Sequence, residues 1–130
     1  MERVLGVGGI FFKANDPEKL AEWYRKHLGV PVEEWGGASF QEGAAAERTP
    51  RRQSHLVWSP FAADTTYFAP SEKSFMINFR VHDLDALLAQ LRSEGVNVEE
   101  KTEESEFGKF GWLMDPEGTR IELWEPPLSK

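Results

Sequence analysis

The chain contains one pattern twice, and this internal repeat constrains the fold more than any other feature. Residues 8–32 and 75–98 each read as an apolar strand, an aspartate, an amphipathic stretch and a Gly-Val-x-Val segment. Asp16 and Asp83 lie 67 residues apart (83 − 16), and Trp58 and Trp124, which close the two halves, lie 66 apart (124 − 58). Matches at both ends favour a duplicated unit over chance similarity of two strand–helix segments.

Each half is predicted to contain a capped helix beside several strands. Asp16 and Asp83 are suited to the N-cap, Pro17 to the first helical position, and Gly29 and Gly95 to the helix ends. The strands are predicted at about 5–14, 30–35, 38–42 and 53–59, and then at about 74–82, 96–101, 108–114 and 119–125. Residues 43–52 are polar and small, as expected for a loop.

The predicted fold class is therefore α+β, with two tandem β-α-β-β-β modules that form a curved mixed sheet around a pocket. All of 1–130 forms one domain, with a first module at about 1–60, a linker at about 61–73 and a second module at about 74–130. Within the linker, Tyr67 and Phe68 are expected to pack onto the domain.

Composition excludes several functions. The chain has no cysteine, so disulfides, thiolate nucleophiles and cysteine-based metal sites are excluded. A formal net charge of −7 disfavours nucleic acid and anionic membranes as partners. The N-terminal stretch is too short and too interrupted by glycine for a secretory signal, and no apolar run spans a bilayer, so a cytoplasmic location is expected.

Alternation along the strands separates a core face from a pocket face. Ile10, Phe12, Val57, Ile77, Phe79, Val81, Ile121 and Leu123 form an apolar set, as a face covered by helices requires. The opposite set mixes large aromatic residues with charges, which favours a ligand cavity. The alternative is that this face forms a dimer interface. The candidate ligand-binding residues on it are Phe11, Lys13, Trp58, Asn78, Arg80, Arg120 and Trp124.

Several segments resemble the glyoxalase/bleomycin-resistance/extradiol-dioxygenase superfamily, the vicinal oxygen chelate proteins. They are the stretch Glu22-Trp23-Tyr24-Arg25-Lys26-His27-Leu28-Gly29, the stretch 79–85, and Asp115-Pro116-Glu117-Gly118-Thr119-Arg120-Ile121-Glu122-Leu123-Trp124. The last is the most specific, since members commonly end in a DP-x-G-x-x-x-E-L segment. The resemblance implies an open curved sheet around a pocket, and often a homodimer.

In metal-dependent members of that superfamily, a His or Gln lies on the first strand of a module and a Glu on its last strand. Carried onto this chain, the first-strand positions are Gly9 and Met76, and the last-strand positions are Leu56 and Glu122. Only Glu122 is a suitable ligand, so no metal site and no cofactor are predicted, and a divalent metal is disfavoured. The histidines do not replace the missing ligands: His27 is expected at the surface, His55 facing away from the pocket unless a bulge reverses it, and His82 too far along its strand.

Glu122 is the candidate catalytic residue, as a general base or as a hydrogen-bond acceptor for a ligand. The alternative is that it forms an ion pair with Arg80 or Arg120 and only stabilises the sheet. Lys13 is a candidate contact for an anionic group or else a solvated strand end, and Trp58 and Trp124 are either ligand-stacking or core residues. Residues 107–112 are interpreted as a hairpin rather than as a ligand cover.

The function that best fits these residues is a glyoxalase/bleomycin-resistance-like protein that binds a small molecule in an aromatic-lined pocket without a metal. The alternatives are a lyase, isomerase or dioxygenase that uses Glu122, and a non-catalytic dimerisation module. A small-molecule ligand and a second copy of the chain are the expected partners.

Overall fold

The computed structural model describes residues 2–41 and 55–128. Their elements, in chain order, are β1 (Val4–Ala14), α1 (Pro17–Leu28), β2 (Ala38–Gln41), β3 (His55–Ala62), β4 (Phe75–Val81), α2 (Leu84–Ser93), β5 (Val98–Ser105), β6 (Gly108–Met114) and β7 (Arg120–Glu125). The strands form one open mixed sheet in the order β2-β3-β1-β4-β7-β6-β5. The α+β fold with a curved mixed sheet is confirmed.

The two halves meet at the centre of the sheet. Strand β1 pairs antiparallel with β4, and Ile10 lies opposite Ile77, 67 residues later (77 − 10). Gly9 lies opposite Asn78 and Phe11 opposite Met76, so the pairing is symmetric about the Ile10–Ile77 pair. Outward from this centre, β1 pairs parallel with β3, and β4 pairs parallel with β7. This is the register of two equivalent halves related by an approximate twofold axis.

Both helices begin at the predicted aspartates. The Asp16 side chain accepts a hydrogen bond of 3.1 Å from the backbone N–H of Lys19, and Asp83 accepts one of 3.1 Å from that of Ala86. These bonds satisfy backbone donors that the first turn of a helix leaves unpaired. Helix α1 ends at Gly29, whose φ of 69° is the left-handed conformation that glycine adopts most easily.

The core lies mainly between α2 and the second half of the sheet. Its buried members are Val81, Leu84, Leu87, Leu88, Leu113 and Leu123. Helix α1 contributes fewer buried side chains to the core, since Ala21 is its only fully buried residue. Tyr24 of this helix packs on Trp58 with ring centroids 4.8 Å apart. Both helices therefore cover the same face of the sheet. No helix in the described part of the chain is long and apolar enough to cross a membrane.

The strand predicted at about 30–35 is wrong. This segment is a turn in which the N–H of Glu33 donates to the carbonyl oxygen of Gly37 at 2.8 Å, and the N–H of Gly36 donates to the carbonyl oxygen of Glu33 at 2.9 Å. Only Val30 and Val32 alternate before two acidic residues and a Gly-Gly pair, which favour a turn over a paired strand. The predicted loop at 43–52 and the start of the strand at 53–59 lie outside the described residues.

Candidate functional site

A cavity of about 450 Å³ opens on the face of the sheet away from the helices. This volume lies within the range typical of small-molecule sites. Strands from both halves contribute to it, together with the segment between β3 and β4 and the β5–β6 turn. Its lining is Gly8, Phe11, Ser39, His55, Val57, Phe61, Tyr67, Asn78, Phe107, Phe110, Glu122 and Trp124.

Glu122 lies at the floor of this cavity with 2% of its surface exposed. Its Oε1 accepts a hydrogen bond of 2.7 Å from Asn78 Nδ2, and its Oε2 accepts one of 2.9 Å from Trp112 Nε1. The Tyr67 hydroxyl also donates to Oε2. Three donors from three separate segments of the chain therefore hold the carboxylate in one orientation. Such bonding is required when a carboxylate is buried.

Two opposing effects act on the protonation of this carboxyl group. Burial raises the pKa of Glu122 above the ordinary glutamate value, because desolvation penalises the charged form. The hydrogen bonds from Tyr67, Asn78 and Trp112, and the positive charge of Arg120, oppose this effect. Burial and the adjacent Glu122 also raise the pKa of Tyr67, so Tyr67 stays a hydrogen-bond donor over the physiological pH range.

Tyr67 is a site residue that the sequence did not assign to the pocket. It lies in the predicted linker, where it was expected only to pack on the domain. Its ring stacks on Phe61 with centroids 5.7 Å apart and an interplanar angle of 12°, and Phe68 beside it is fully buried. Three aromatic residues in the predicted linker, Phe61, Tyr67 and Phe68, were the available signal that this segment closes over a surface.

Glycine makes room for the floor of the cavity. A Cβ atom on Gly8 would lie 2.3 Å from Asn78 Oδ1 and 2.9 Å from Trp124 Cε3. Real Cβ atoms do not approach other atoms this closely, so a side chain at this position would displace the residues that flank Glu122. The register shift of β1 between Val7 and Gly9 brings this glycine onto the floor.

The structure brings together three of the seven predicted ligand-binding residues. Phe11, Asn78 and Trp124 line the cavity with Glu122, and Trp124 stacks on Phe110 at an interplanar angle of 2°. Residues 108–114 form one strand of the predicted hairpin with β5. This hairpin also contributes Phe107 and Phe110 to the cavity wall.

Lys13, Arg80 and Arg120 lie near the cavity but do not line it. The Lys13 ammonium is 5.9 Å from the centroid of the Phe68 ring. Arg80 is buried, and its Nη2 occupies the space where a Cβ of Gly6 would lie. None of these three cationic side chains is therefore among the described residues that line the cavity.

The alternative in which Glu122 forms an ion pair with Arg120 is contradicted by the structure. Arg120 instead forms a two-pronged pair with Glu99, with Nε to Oε2 at 2.8 Å and Nη2 to Oε1 at 2.7 Å. Its guanidinium also lies 4.9 Å from the centroid of the Trp112 ring. Arg120 is thus two residues from Glu122 on the same face, but its guanidinium donates to the Glu99 carboxylate on strand β5 and to the backbone oxygen of Tyr67.

The placement of Trp58 on the pocket face is also wrong. Phe11 lies opposite Ser59 in the parallel β1–β3 pair, so Val57 and Ser59 share the face of Phe11, and Trp58 points to the helices. It packs there on Phe12 and Tyr24. For the same reason His55 lines the cavity, contrary to expectation. Aligning the halves through their tryptophans shifted this strand by an odd number of residues, which exchanges its faces.

The donor groups do not fit a divalent metal. Protein N–H and O–H groups already occupy three of the about four acceptor positions of Glu122, which leaves one position for any other partner. Met76 is buried in an apolar cluster with Phe11 and Trp112. Within residues 2–41 and 55–128, no three His, Cys, Asp or Glu side chains come close enough to share an ion. A catalytic divalent ion requires about three protein ligands.

Comparison with known proteins places this geometry in a wider group. A family model described as a glyoxalase-like domain matches residues 9–124. None of the curated protein sequences matches the chain.

Three solved structures illustrate the shared fold. Methylmalonyl-CoA epimerase from Mycobacterium tuberculosis has 24% identity and a TM-score of 0.59, with 95% of this chain and 89% of that chain covered. A glyoxalase/bleomycin resistance protein/dioxygenase superfamily member from Vibrio splendidus 12B01 has 12% identity and a TM-score of 0.58, with 96% and 99% covered. A catechol 2,3-dioxygenase has 18% identity and a TM-score of 0.60, with 97% of this chain but 42% of that chain covered.

Proposed function

Because the chain belongs to the glyoxalase-like domain family, we propose that it uses the family's pocket to bind a small, partly aromatic organic molecule without a divalent metal. The observation that carries this proposal is the cavity of about 450 Å³, whose floor is a buried carboxylate already bonded to protein donors and whose walls are aromatic. Aromatic walls supply apolar contact, and a few fixed polar groups orient the ligand.

The walls are suited to a planar ligand. Phe110 and Trp124 stack almost parallel, and so do Phe61 and Tyr67. Stacked pairs keep their ring faces in fixed directions, so a flat ligand meets a preformed surface and loses little affinity to side-chain ordering. Val57 and Ser39 add smaller contacts from the first half of the sheet.

Tryptophan fluorescence offers a direct test. A library of small aromatic compounds would be titrated against the protein, with the fluorescence change and the shift in melting temperature as readouts. We expect saturable binding that changes the emission of Trp124, which lines the cavity. The matched controls are Trp124→Phe, which should remove most of the signal, and Trp23→Phe, which removes an exposed tryptophan on α1 and should leave the signal intact.

Two results would contradict the proposal. The first is the absence of any ligand that gives saturable binding across such a library. The second is a large increase in melting temperature with Mn²⁺, Ni²⁺, Zn²⁺ or Fe²⁺ that Glu122→Gln abolishes, which would assign the carboxylate to a metal.

Proton transfer by Glu122 is a second candidate function. The favouring observation is that burial raises the pKa of this cavity-facing carboxyl group, as a general base that works near neutral pH requires. Incubation of a bound carbon acid in D₂O tests it by mass spectrometry. Deuterium uptake that disappears in Glu122→Gln, with ligand affinity retained, would favour catalysis over binding alone.

A further inference from the structure

The charges around the cavity are unevenly distributed, and this concerns the kind of ligand that the proposed binding function would accept. Among the described residues that line the cavity, Glu122 is the one acid and His55 is the one basic residue. Within the described ranges, Glu122 has hydrogen-bond donors but no ion-pair partner. The cavity floor therefore carries a negative charge when Glu122 is ionised.

The cation whose charge acts on Glu122, Arg120, is held by other groups. Arg120, two residues away, is bound to both oxygens of Glu99, and its guanidinium also donates to the backbone oxygen of Tyr67. Its side chain is only 11% exposed, so this arrangement is enclosed by protein. Swinging Arg120 into the cavity would leave Glu99 without its partner. The structure thus keeps its own cation out of the cavity while leaving the carboxylate inside.

The Glu122 carboxylate on the cavity floor can accept a further hydrogen bond. A carboxylate has about four acceptor positions, and three donors occupy positions on Glu122. Because Asn78 turns its amide nitrogen towards the carboxylate, its Oδ1 is left buried and without a hydrogen-bond partner in the described part of the chain. This oxygen lies against Gly8, so it is the remaining acceptor position of Glu122 that favours a ligand that donates a hydrogen bond.

The aromatic walls favour the same ligand class. The rings of Phe11, Phe61, Tyr67, Phe107, Phe110 and Trp124 surround the space above Glu122. Ring faces attract positive charge, most strongly where water is excluded. From these observations we infer that the pocket selects an organic cation, with a charged nitrogen placed against Glu122 and an aromatic or aliphatic body between the rings. This inference rests on the proposed binding function.

Three probes of similar size and different charge test the inference. They are 1-naphthylmethylamine, 1-naphthalenemethanol and 1-naphthaleneacetate (the anion of 1-naphthaleneacetic acid), which are a cation, a neutral molecule and an anion at about pH 8. Isothermal titration calorimetry on the full chain would give their affinities. We expect the amine to bind at least about tenfold more tightly than the alcohol, and the acetate to bind most weakly.

Three variants separate the local charge from the overall charge. Glu122→Gln should remove the preference for the amine while the alcohol still binds. Glu99→Gln should weaken the preference by freeing the guanidinium of Arg120. Glu117→Gln removes one charge from an exposed turn and should leave the preference unchanged. Melting curves would confirm that each variant is folded.

The possible outcomes distinguish the inference from the function on which it rests. Equal affinity for all three probes, or tightest binding of the acetate, would overturn the charge selection and leave a neutral aromatic pocket. A preference that Glu117→Gln reduces as much as Glu122→Gln would assign it to the net charge of the chain and also overturn the inference. If none of the three binds to the wild-type protein, the proposed binding function fails and the inference fails with it.

Discussion

Replacing Glu122 by leucine should destabilise the protein, whereas replacing it by glutamine should not. Leucine removes the acceptor for three donors: Asn78 Nδ2, Trp112 Nε1 and the Tyr67 hydroxyl. The first two are buried, and each unpaired buried donor costs about 1–3 kcal/mol. The Tyr67 side chain is partly exposed and can reach water. Loss of the buried carboxylate offsets part of this cost, so we expect Glu122→Leu to lose about 2–4 kcal/mol.

Glutamine is tolerated because of the neighbouring amide. With its oxygen in the place of Oε2, the glutamine still accepts from Trp112 and Tyr67, and its nitrogen faces Asn78. Rotation of the Asn78 amide by half a turn then presents Oδ1, which has no partner in the described structure, to that nitrogen. We therefore expect Glu122→Gln to lie within about 1 kcal/mol of the wild type.

Urea denaturation followed by tryptophan fluorescence measures these differences. A Glu122→Leu variant as stable as the wild type would refute the reasoning, because it would mean that the three donors do not depend on the carboxylate. The double variant Trp112→Phe/Glu122→Leu provides a control. Glu122→Leu should cost about 1–2 kcal/mol less in a Trp112→Phe background than in the wild type, because that background lacks one of the stranded donors.

The carboxyl group of Glu122 should also make the stability of the protein depend on pH. Burial raises the pKa of Glu122, so the folded protein binds this proton more tightly than the unfolded chain does. The stability linked to Glu122 is therefore full below the unfolded-state pKa and is lost as the pH rises through the folded-state pKa. Glu122→Gln lacks this titration. Its stability relative to the wild type should increase as the pH rises through that range, and a constant difference would contradict the assigned direction.

Three further substitutions test other parts of the structure. Gly8→Ala places a Cβ atom 2.3 Å from Asn78 Oδ1. It should lower the free energy of unfolding by about 1–3 kcal/mol and weaken ligand binding, and unchanged affinity would argue against this floor. Asp83→Ala removes the N-cap of α2 and should cost about 1 kcal/mol in urea denaturation while leaving ligand titrations unchanged. Gly29→Ala forces a side chain into a φ of 69° and should lower the melting temperature; no decrease would show that α1 can end differently.

Local signals in the sequence were sufficient to predict both helices and most of the strands. Aspartate caps, the left-handed glycine after α1 and the apolar alternation of β4 and β7 each depend on a few neighbouring residues, and the structure agrees with them. The strand predicted at 30–35 was wrong because two alternating valines are too weak a signal for a strand when a turn follows directly. Glu122 was found because its motif and its strand parity agreed.

The partners of Glu122 could not be predicted in the same way. Tyr67 reaches it from 55 residues away through a segment without secondary structure, and no periodicity marks that contact. Trp112 lies on β6, whose facing depends on its pairing with β7. For β3, the assumed register was shifted by three residues (59 − 56), an odd number, and this shift put Trp58 instead of Val57 on the pocket face. Contacts across strands depend on register, and register depends on the whole sheet rather than on any one segment.

The symmetric pairing of β1 with β4 gives every site position a twin. Asn78 lies beside Glu122 in the second half, and its twin Phe11 lies beside Ser59 in the first, since 78 and 11 also differ by 67. Ser59, rather than Leu56, therefore occupies the place that mirrors the carboxylate. In a duplicated fold of this kind, one half can retain the functional residues while the equivalent positions in the other half change. Ser59→Glu would place a second acid at the strand position that mirrors Glu122.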